Sequence, residues 1–315
     1  MRAEEQLSGQ PQLGSWFECM MRGDFASAWE IADADLLARR DVPCWHWPRH
    51  EQYVWNGSSL QGKRVLVRCY HGLGDTLQFV RYLPLLSGSA VEVTVWAQPV
   101  LLPLLRTMKV PVNWIPLHDG VPEVEYDVDI ELMELPHFFR STLETLPRMV
   151  PYFHVEPCRS AQLGPGLNVG VAWASGAWDP NRDVPIKALA PLAELDGVTL
   201  HALQAGPALT AWPRAWGPVS TREKPEQLAS FMRSLDLVIS VDSMPAHLAG
   251  SLGVPVWTLL CRQADWRWMK DRPDSPWYPT MTLFRQEKPG EWASVVAKVT
   301  SDLRTRSASN VSRRS

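Results

Sequence analysis

Asp75 is the carboxylate whose surroundings in the sequence best suit acid–base chemistry. It lies in the stretch VLVRCYHGLGDTLQFVRYLPLL, after an apolar run at 65–67 and close to Gly72 and Gly74. A carboxylate in a cleft, at the point where a strand gives way to a helix, could act as a general base on an acceptor hydroxyl. Asp is also among the best N-cap residues, so the local sequence favours a structural helix cap equally.

Polar side chains follow three predicted strands in the second half of the chain, where they would meet at one edge of a sheet. Their types suit a diphosphate or the hydroxyls of a sugar. The helix beginning near Ser243 would direct its dipole and free N–H groups at a phosphate, and His247 lies one turn further on. A lone helical histidine is more often structural, but the converging loops favour a functional role equally. The three loops contribute Ser175, Asn181, Arg182 and Lys187, then Gln204 and Gly206, and finally Asp242, Ser243 and His247.

A fourth loop, CRQADWRWMKDRPDSPWYPTMTLFRQ, combines basic and aromatic residues. This combination suits a diphosphate together with a sugar or base ring. It would also suit single-stranded nucleic acid, but the net charge of -3 argues against a nucleic-acid partner. The charged and tryptophan side chains of this loop are Arg262, Asp265, Trp266, Arg267, Trp268, Lys270 and Arg272.

Alternating strands and helices must position these loops, which predicts an α/β protein with mostly parallel sheets. Strands are predicted at 65–67, 91–96, 113–117, 127–132, 168–173, 198–204, 236–241 and 255–260. Helices are predicted at 100–108, 185–195, 225–235, from Ser243 and at 292–303. Proline and glycine without a clear period at 151–167 indicate a domain boundary. We therefore expect two doubly wound domains, at 56–155 and 156–304, that face a ligand cleft, followed by a disordered tail at 305–315.

The first 55 residues read as a separate helical segment. Asp24 could cap a helix through FASAWEIADADLLARR, and a preceding helix would cover 13–22. One such pair is close to a tetratricopeptide unit and cannot bury its own apolar face, so it should pack on the following domain.

Composition limits the compartment and the cofactors. Five scattered cysteines without CxxC spacing indicate reduced thiols. The stretch MRAEEQLSGQ lacks the apolar core of a signal peptide, so we expect a cytoplasmic protein. Cys44, His46 and His50 are metal-binding types, but their spacing fits no standard zinc pattern, which favours a linker against a domain wall.

The stretches GLGDTLQFVRYLPLL, VDSMPAHLAGSLGVPVW and DWRW…SPWYP…LFRQ resemble the family-9 glycosyltransferases. More narrowly, they are similar to bacterial heptosyltransferase-like proteins that are often fused to tetratricopeptide repeats. The resemblance covers about residues 55–300. It implies a GT-B fold of two Rossmann-like domains, with the acceptor side at 56–155 and the nucleotide-sugar side at 156–304. It also implies transfer with inversion, without a metal or another cofactor.

The resemblance also implies roles for particular residues. Asp75 matches the carboxylate proposed as the base, and Asp242, Ser243 and His247 match the motif that lines the donor site. Arg182 and Lys187 fall in the loop that usually contacts phosphate, although this loop reads NRDVPIK instead of the usual N-D-R-x-R-S-I. The implied donor-binding set is Ser175, Arg182, Lys187, Gln204, Gly206, Asp242, Ser243, His247, Asp265, Trp266 and Arg267, and the acceptor-side loop comprises Gly72, Gly74, Thr76 and Gln78.

The first guess for the donor is an ADP-linked heptose. The acceptor would be a hydroxyl on a glycan, a lipopolysaccharide or a protein, and the acceptor could bring the chain to a membrane surface as a peripheral protein. The sequence predicts no oligomeric state. Two alternatives stay open, namely a non-catalytic module that binds nucleotide sugars and a GT-B epimerase or hydrolase.

Overall fold

The computed structural model describes residues 13–176 and 179–314, which divide into two compact units. Unit 1 takes the described residues of Met1–Leu102, Val110–Pro147 and Asp265–Asp271, and unit 2 takes those of Pro103–Lys109, Arg148–Ala264 and Arg272–Ser315. The sequence placed the boundary between residues 155 and 156, whereas residues 148–155 belong to unit 2. Tyr152 N donates to Ser251 O at 3.2 Å and Phe153 is buried, so this stretch is attached to unit 2.

Two helices at the start of unit 1 form the predicted pair, α1 (Leu13–Arg22) and α2 (Phe25–Arg39). Asp24 is the N-cap of α2, and its carboxylate accepts a hydrogen bond from Ser27 N at 3.2 Å, as the sequence predicted. Trp29 is buried and its Nε1 donates to Ser141 O at 2.7 Å. The pair is therefore packed within unit 1.

Unit 1 is built on a four-stranded sheet in the order β3-β2-β1-β4, with all neighbours parallel. Val65 lies opposite Val93 on one side and Val128 on the other, and all three are buried. Because the strands are parallel, the loops that follow β1 and β4 lie at one edge of the sheet. The strands are β1 (Arg64–Arg68), β2 (Glu92–Ala97), β3 (Asn113–Pro116) and β4 (Val128–Glu131).

Short helices follow the strands in this part of the chain. They are α3 (Leu73–Phe79), α4 (Leu83–Ser87), α5 (Leu102–Leu105) and α6 (Leu135–Phe138). Helix α3 begins directly after the loop that leaves β1, so it fixes the position of Asp75.

The segment 265–271 belongs to unit 1, although the sequence placed it in the C-terminal domain. The ring of Trp266 lies edge-on to that of Trp16 on α1, with centroids 5.5 Å apart. Lys270 N donates to Met21 O at 2.9 Å. These contacts join residues that are far apart in the chain, which is why local sequence patterns did not reveal them.

Unit 2 contains a five-stranded parallel sheet in the order β6-β5-β7-β8-β9. Its strands are β5 (Leu167–Ala172), β6 (Val198–Ala202), β7 (Leu237–Val241), β8 (Val256–Leu260) and β9 (Met281–Arg285), and its helices are α7 (Ala190–Ala193), α8 (Pro225–Met232), α9 (Met244–Ser251) and α10 (Trp292–Arg314). The sequence did not assign β9, whose Leu283 and Phe284 are buried at the edge of the sheet beside β8. The two sheets and their helices confirm the predicted α/β class.

Helix α10 continues to Arg314, so the predicted disordered tail is wrong for residues 305–314. Ser307 is buried, and its hydroxyl donates to Asp196 O at 3.1 Å. Arg306 Nη2 donates to Asp236 O at 3.2 Å. The polar composition of this stretch indicated disorder, but its lack of Gly and Pro lets the helix continue while these contacts attach it to unit 2.

No helix within residues 13–176 and 179–314 has the length and the apolarity that a membrane span requires.

Candidate functional site

Asp75 is held on both of its carboxylate oxygens within unit 1. Gly72 is the N-cap of α3, and its N–H donates to Asp75 Oδ2 at 2.9 Å. Asp75 Oδ1 accepts a hydrogen bond from Arg267 Nη2 at 2.5 Å. Arg267 Nη1 in turn lies 2.8 Å from Asp265 Oδ1. Asp75 is therefore both a helix-capping residue, placed at the third helical position, and one end of a carboxylate–guanidinium–carboxylate chain.

The residues predicted to bind the donor in the fourth loop thus lie beside the predicted base. The sequence assigned Asp265, Trp266 and Arg267 to the donor side, whereas the structure places all three in unit 1. The Arg267 guanidinium lies over the rings of Phe79 and Trp266, with carbon-to-centroid distances of 5.4 and 5.1 Å. Arg267 is thus fixed by two carboxylates and two aromatic faces.

The predicted acceptor-side loop presents little of its polar surface. Thr76 is buried and its hydroxyl donates to Gln98 Oε1 at 3.0 Å. Gln98 Nε2 donates to His71 O at 2.8 Å, so this pair supports the loop from inside. Gln78 is fully buried. The loop positions that reach the surface are Gly72, which is exposed, and Gly74, which is half-buried.

A cavity of about 750 Å³ lies within unit 1, and Asp75 is not among its lining residues. Its walls come from α1, α2, the segment 47–53, the loop after β1 and the end of β4 with α6. Three aromatic side chains, four carboxylates and three histidines contribute to the lining; they include Trp16, Trp47, Tyr53, His71, Glu131 and Glu134.

His71 and Glu131 form a close pair at this cavity. His71 Nδ1 lies 3.0 Å from Glu131 Oε1, and the two side chains form an ion pair once the ring is protonated. Glu131 is itself anchored, because Oε1 accepts from Tyr70 N at 3.3 Å and Oε2 accepts from Met133 N at 2.6 Å. Burial opposes protonation of His71, but Glu131 outweighs it and the pKa of His71 is raised.

Sequence reasoning missed this pair. The alternation of charged and apolar residues at 127–132 placed Glu131 on the polar face of a strand but gave it no partner. The parallel register sets Glu131 opposite Arg68, three residues before His71. The signal that could have found the pair is that both residues lie at the carboxyl ends of neighbouring parallel strands.

Unit 2 brings together three of the residues predicted to bind the donor. Arg182 Nη1 lies 3.4 Å from Asp242 Oδ2, and His247 Nε2 lies 3.7 Å from Asp242 Oδ1. The other ring nitrogen of His247 is 3.0 Å from the Tyr278 hydroxyl. Asp242 and His247 are each 5% exposed, so a buried carboxylate lies between the guanidinium of Arg182 and the imidazole of His247.

Other predicted donor residues have structural bonds in the same loops. Ser175 donates from its N–H at 2.7 Å and its hydroxyl at 3.0 Å to Asp183 Oδ1. Gln204 Oε1 accepts from Trp173 N at 2.9 Å and Ala174 N at 2.8 Å, which fixes the end of β5. Lys187 and Gly206 are exposed.

The N-terminus of α9 offers fewer free donors than the sequence indicated. The Ser243 hydroxyl donates to Val241 O at 3.2 Å, and Ser243 makes no side-chain cap. Pro245 has no N–H. The N–H groups of Ala246 and His247 already donate to Ser243 O. Side-chain cations at this edge, Arg182 above all, are therefore better placed than backbone N–H groups to hold an anion.

A second cavity, of about 340 Å³, lies within unit 2 next to this cluster. Asp179, Asn181, Arg262 and Gln286 contribute to its wall. Gln286 is buried, and its Oε1 accepts from Arg262 N at 3.2 Å. Its Nε2 donates to no acceptor within the part of the chain that the structure describes. A ligand with an acceptor atom would satisfy this amide.

Among the described side chains, no group of three or more His, Cys, Asp or Glu residues is arranged to hold a metal ion.

Comparisons with known proteins show a fold shared with glycosyltransferase structures. No family model matches it. It is 26% identical over 324 residues to Protein FlbA of Caulobacter vibrioides, a match that covers 91% of this chain and 54% of FlbA, so the chain spans about half the length of that curated relative. The crystal structure of the glycosyl transferase family 9 from Veillonella parvula superposes with a TM-score of 0.57 at 15% identity and covers 82% of this chain and 99% of that one.

A second solved structure gives the same result. The E. coli ADP-heptose lps heptosyltransferase II superposes with a TM-score of 0.55 at 14% identity, covering 77% of this chain and 98% of that one. The chain thus has the α/β architecture of the family-9 glycosyltransferase structures, which is the GT-B fold. The predicted fold class and the resemblance are confirmed at the level of the fold.

Proposed function

We propose that this chain is a family-9-like inverting glycosyltransferase that moves a sugar from a nucleotide-diphosphate sugar to an acceptor hydroxyl. The observation that carries the proposal is the Arg182–Asp242–His247 cluster at the carboxyl edge of the unit 2 sheet. Open α/β sheets bind their ligands at this edge. A guanidinium fixed by a buried carboxylate is suited to a phosphate, because it presents two donors in a rigid plane.

In the proposed reaction the acceptor oxygen attacks the anomeric carbon while the bond to the diphosphate oxygen breaks on the opposite face. The leaving diphosphate gains negative charge, and Arg182 would stabilise that charge without a metal ion. Asp242 lies at ion-pair distance from Arg182 and His247, so it would keep both oriented. Lys187, which is exposed, would supply a second cation for the same phosphates.

The donor that we propose first is an ADP-linked heptose. Two observations support it: the fold shared with a heptosyltransferase whose name specifies ADP-heptose, and a cavity of about 340 Å³ with an unsatisfied buried amide beside the cluster. The acceptor that we propose is a hydroxyl of a glycan, a lipopolysaccharide or a protein.

The proposal is tested by measuring ADP binding with isothermal titration calorimetry. Arg182→Ala should weaken ADP binding at least about tenfold, or about 1.4 kcal/mol, because one charge-assisted contact to phosphate is lost. Asp242→Asn should weaken it similarly by releasing Arg182. The matched control is Arg304→Ala on the exposed face of α10, which should leave the affinity unchanged. An ADP affinity unchanged in Arg182→Ala and Asp242→Asn would place the donor elsewhere.

One observation favours the alternative of a binding module without turnover. Both oxygens of Asp75 accept hydrogen bonds, from Gly72 N–H and from Arg267 Nη2, so this carboxylate holds neighbouring groups of unit 1 and is not directed at a ligand. Mass spectrometry of the products formed from ADP-heptose separates the two functions. A transferase releases ADP, whereas a binding module returns the donor intact.

A further inference from the structure

The two candidate general bases of unit 1, Asp75 and His71, differ in whether they line a cavity that could hold a ligand. Asp75 has a side chain that is 25% exposed, and its oxygens accept hydrogen bonds from Arg267 and Gly72. His71 has a side chain that is 30% exposed and lines the cavity of about 750 Å³. The residue next to a ligand-sized space is therefore the histidine, since pockets for small ligands measure about 300–1,000 Å³.

The orientation of the His71 ring suits a proton acceptor. Its Nδ1 lies toward Glu131, which leaves Nε2 on the opposite side of the ring for a ligand. Glu131 is 4% exposed and is fixed by two backbone N–H groups, so its carboxylate cannot turn away from the ring. A buried carboxylate in this position favours the neutral tautomer with the proton on Nδ1, which leaves Nε2 unprotonated. When Nε2 then takes a proton from the acceptor, the carboxylate stabilises the imidazolium that results.

The walls of the cavity suit a hydroxyl-rich acceptor. Trp47 and Tyr53 line the cavity with rings that meet edge-on, centroids 5.5 Å apart, and the Arg39 guanidinium carbon lies 4.1 Å from the centroid of the Tyr53 ring. Aromatic faces bury the apolar side of a sugar ring, while carboxylates and amides at the wall accept hydrogen bonds from its hydroxyls. Gln52 and Glu51 supply such groups beside the aromatic pair.

We propose that the unit 1 cavity is the acceptor site and that His71, held by Glu131, is the general base of the transfer; this inference rests on the glycosyltransferase function proposed above. The acceptor O–H bond breaks, and its proton goes to His71 Nε2. The acceptor oxygen forms a bond to the anomeric carbon, and the bond from that carbon to the diphosphate breaks, so the nucleoside diphosphate leaves with the electron pair. The imidazolium later returns its proton to water.

Asp75 acts in this mechanism as a positioning residue. It caps α3 through Gly72 and holds Arg267, and Arg267 Nη2 also lies 3.8 Å from Met133 Sδ at the cavity wall. Asp75 thereby fixes the segment that joins the loop after β1 to the loop after β4.

The charges around His71 decide how the rate depends on pH. Glu131 and Asp75 raise the pKa of His71, and Arg267 lowers it. The other titratable groups that line the cavity are Asp35, Arg39, His50, Glu51, Tyr53, Glu134 and His137. Since the base must be neutral, the rate should rise with pH through the raised pKa of His71. A carboxylate base with an ordinary pKa of about 4 would instead give a rate that is flat between pH 6 and 8. Glu134, which also lines the cavity, has a pKa raised to about 7, but its Oε2 is engaged by Trp55 N and Glu131 N.

The experiment measures ADP release from ADP-heptose with water as the acceptor, between pH 5.5 and 9. His71→Gln should lower kcat about a hundredfold or more, the usual contribution of a general base. The rising part of the pH–rate profile (the pH limb) should move to lower pH in Glu131→Gln, because this variant lacks the carboxylate that raises the pKa of His71. Added imidazole should restore part of the rate to His71→Ala. Asp75→Asn should lower kcat less than about tenfold. It should move the pH dependence to lower pH by less than Glu131→Gln does, because Asp75 contributes less than Glu131 to the raised pKa of His71.

The controls separate this inference from the proposed function. His154→Gln removes an exposed histidine of unit 2 and should leave the rate and its pH limb unchanged. Calorimetry with ADP shows for each variant that donor binding persists. If His71→Gln releases ADP as fast as the wild type, His71 is not the base. The same holds if Glu131→Gln leaves the pH dependence unchanged. In both cases the proposed transferase function is unaffected. If the wild type neither binds ADP nor releases it, the proposed function falls and this inference falls with it.

Discussion

Replacing Glu134 by Gln should make unit 1 more stable at neutral and alkaline pH. Glu134 precedes α6, and its Oε2 accepts hydrogen bonds from Trp55 N at 3.1 Å and Glu131 N at 2.9 Å. Burial raises the pKa of Glu134 from 4.5 to about 7, with a smaller contribution from the charge of Glu131. A glutamine keeps an oxygen for the two N–H groups and has no charge to bury.

The magnitude follows from proton linkage. Below pH 4.5 the carboxyl is protonated in both the folded and the unfolded chain, so it costs nothing. Between pH 4.5 and about 7 only the unfolded chain ionises, and stability falls by about 1.4 kcal/mol for each unit of pH. Above pH 7 both states are ionised and the full cost persists. The pKa difference of roughly 2.5 then corresponds to about 3 kcal/mol at pH 8.

The assay is urea unfolding of the whole chain, monitored by tryptophan fluorescence at pH 5 and pH 8. Glu134→Gln should exceed the wild type by about 3 kcal/mol at pH 8 and by less than about 1 kcal/mol at pH 5. Glu123→Gln, at an exposed carboxylate, is the matched control and should not differ from the wild type at either pH. Equal stability differences for Glu134→Gln at the two pH values would refute the reasoning, because they would show that Glu134 is ionised in the folded protein throughout this range.

A truncation and a substitution test packing in unit 2. Truncation after Arg304 removes the hydrogen bonds of Arg306 to Asp236 O and of Ser307 to Asp196 O. It should destabilise unit 2 by about 1–2 kcal/mol in thermal unfolding. An unchanged melting temperature would mean that the last turns of α10 contribute nothing to stability. Gly250→Ala places a Cβ 2.6 Å from the fully buried Tyr278 ring, so it should lower the free energy of unfolding by about 1–3 kcal/mol. Because Tyr278 contacts His247, it should also weaken ADP binding. The control Ala249→Gly should lower stability without changing the ADP affinity. An ADP affinity unaffected by Gly250→Ala would disconnect Tyr278 from the donor site.

The strands of both sheets were predictable because burial on two faces requires continuous apolar runs. Val65–Val67 and the run around Val256–Leu260 show this pattern, and both lie in interior positions of parallel sheets. The strand β9 was not predicted, because it follows a loop rich in tryptophan and proline whose sequence is typical of a binding segment. The tail was misjudged because polar composition does not report the two hydrogen bonds that attach α10 to unit 2.

The site was predictable only where its residues are close in sequence. Asp242 directly follows β7 and His247 lies in the first turns of the helix that comes next, so the motif itself indicated that they are close. The ion pairs of Asp75 with Arg267 and of His71 with Glu131 join different segments, and only the register and the packing of unit 1 bring them together. The roles that the sequence gave to the predicted donor and acceptor residues stay predictions.

The return of residues 265–271 to unit 1 limits how this protein and its relatives can exchange parts. A recombination that joins residues 1–147 of this chain to the C-terminal part of a relative would replace Arg267 and Trp266, and with them the partners of Asp75 and Trp16. Asp75 and Arg267 are 192 positions apart, yet they must be inherited as one set. A working chimera therefore needs two additional junctions around 265–271, and covariation between this short segment and α1 is expected in any collection of related sequences.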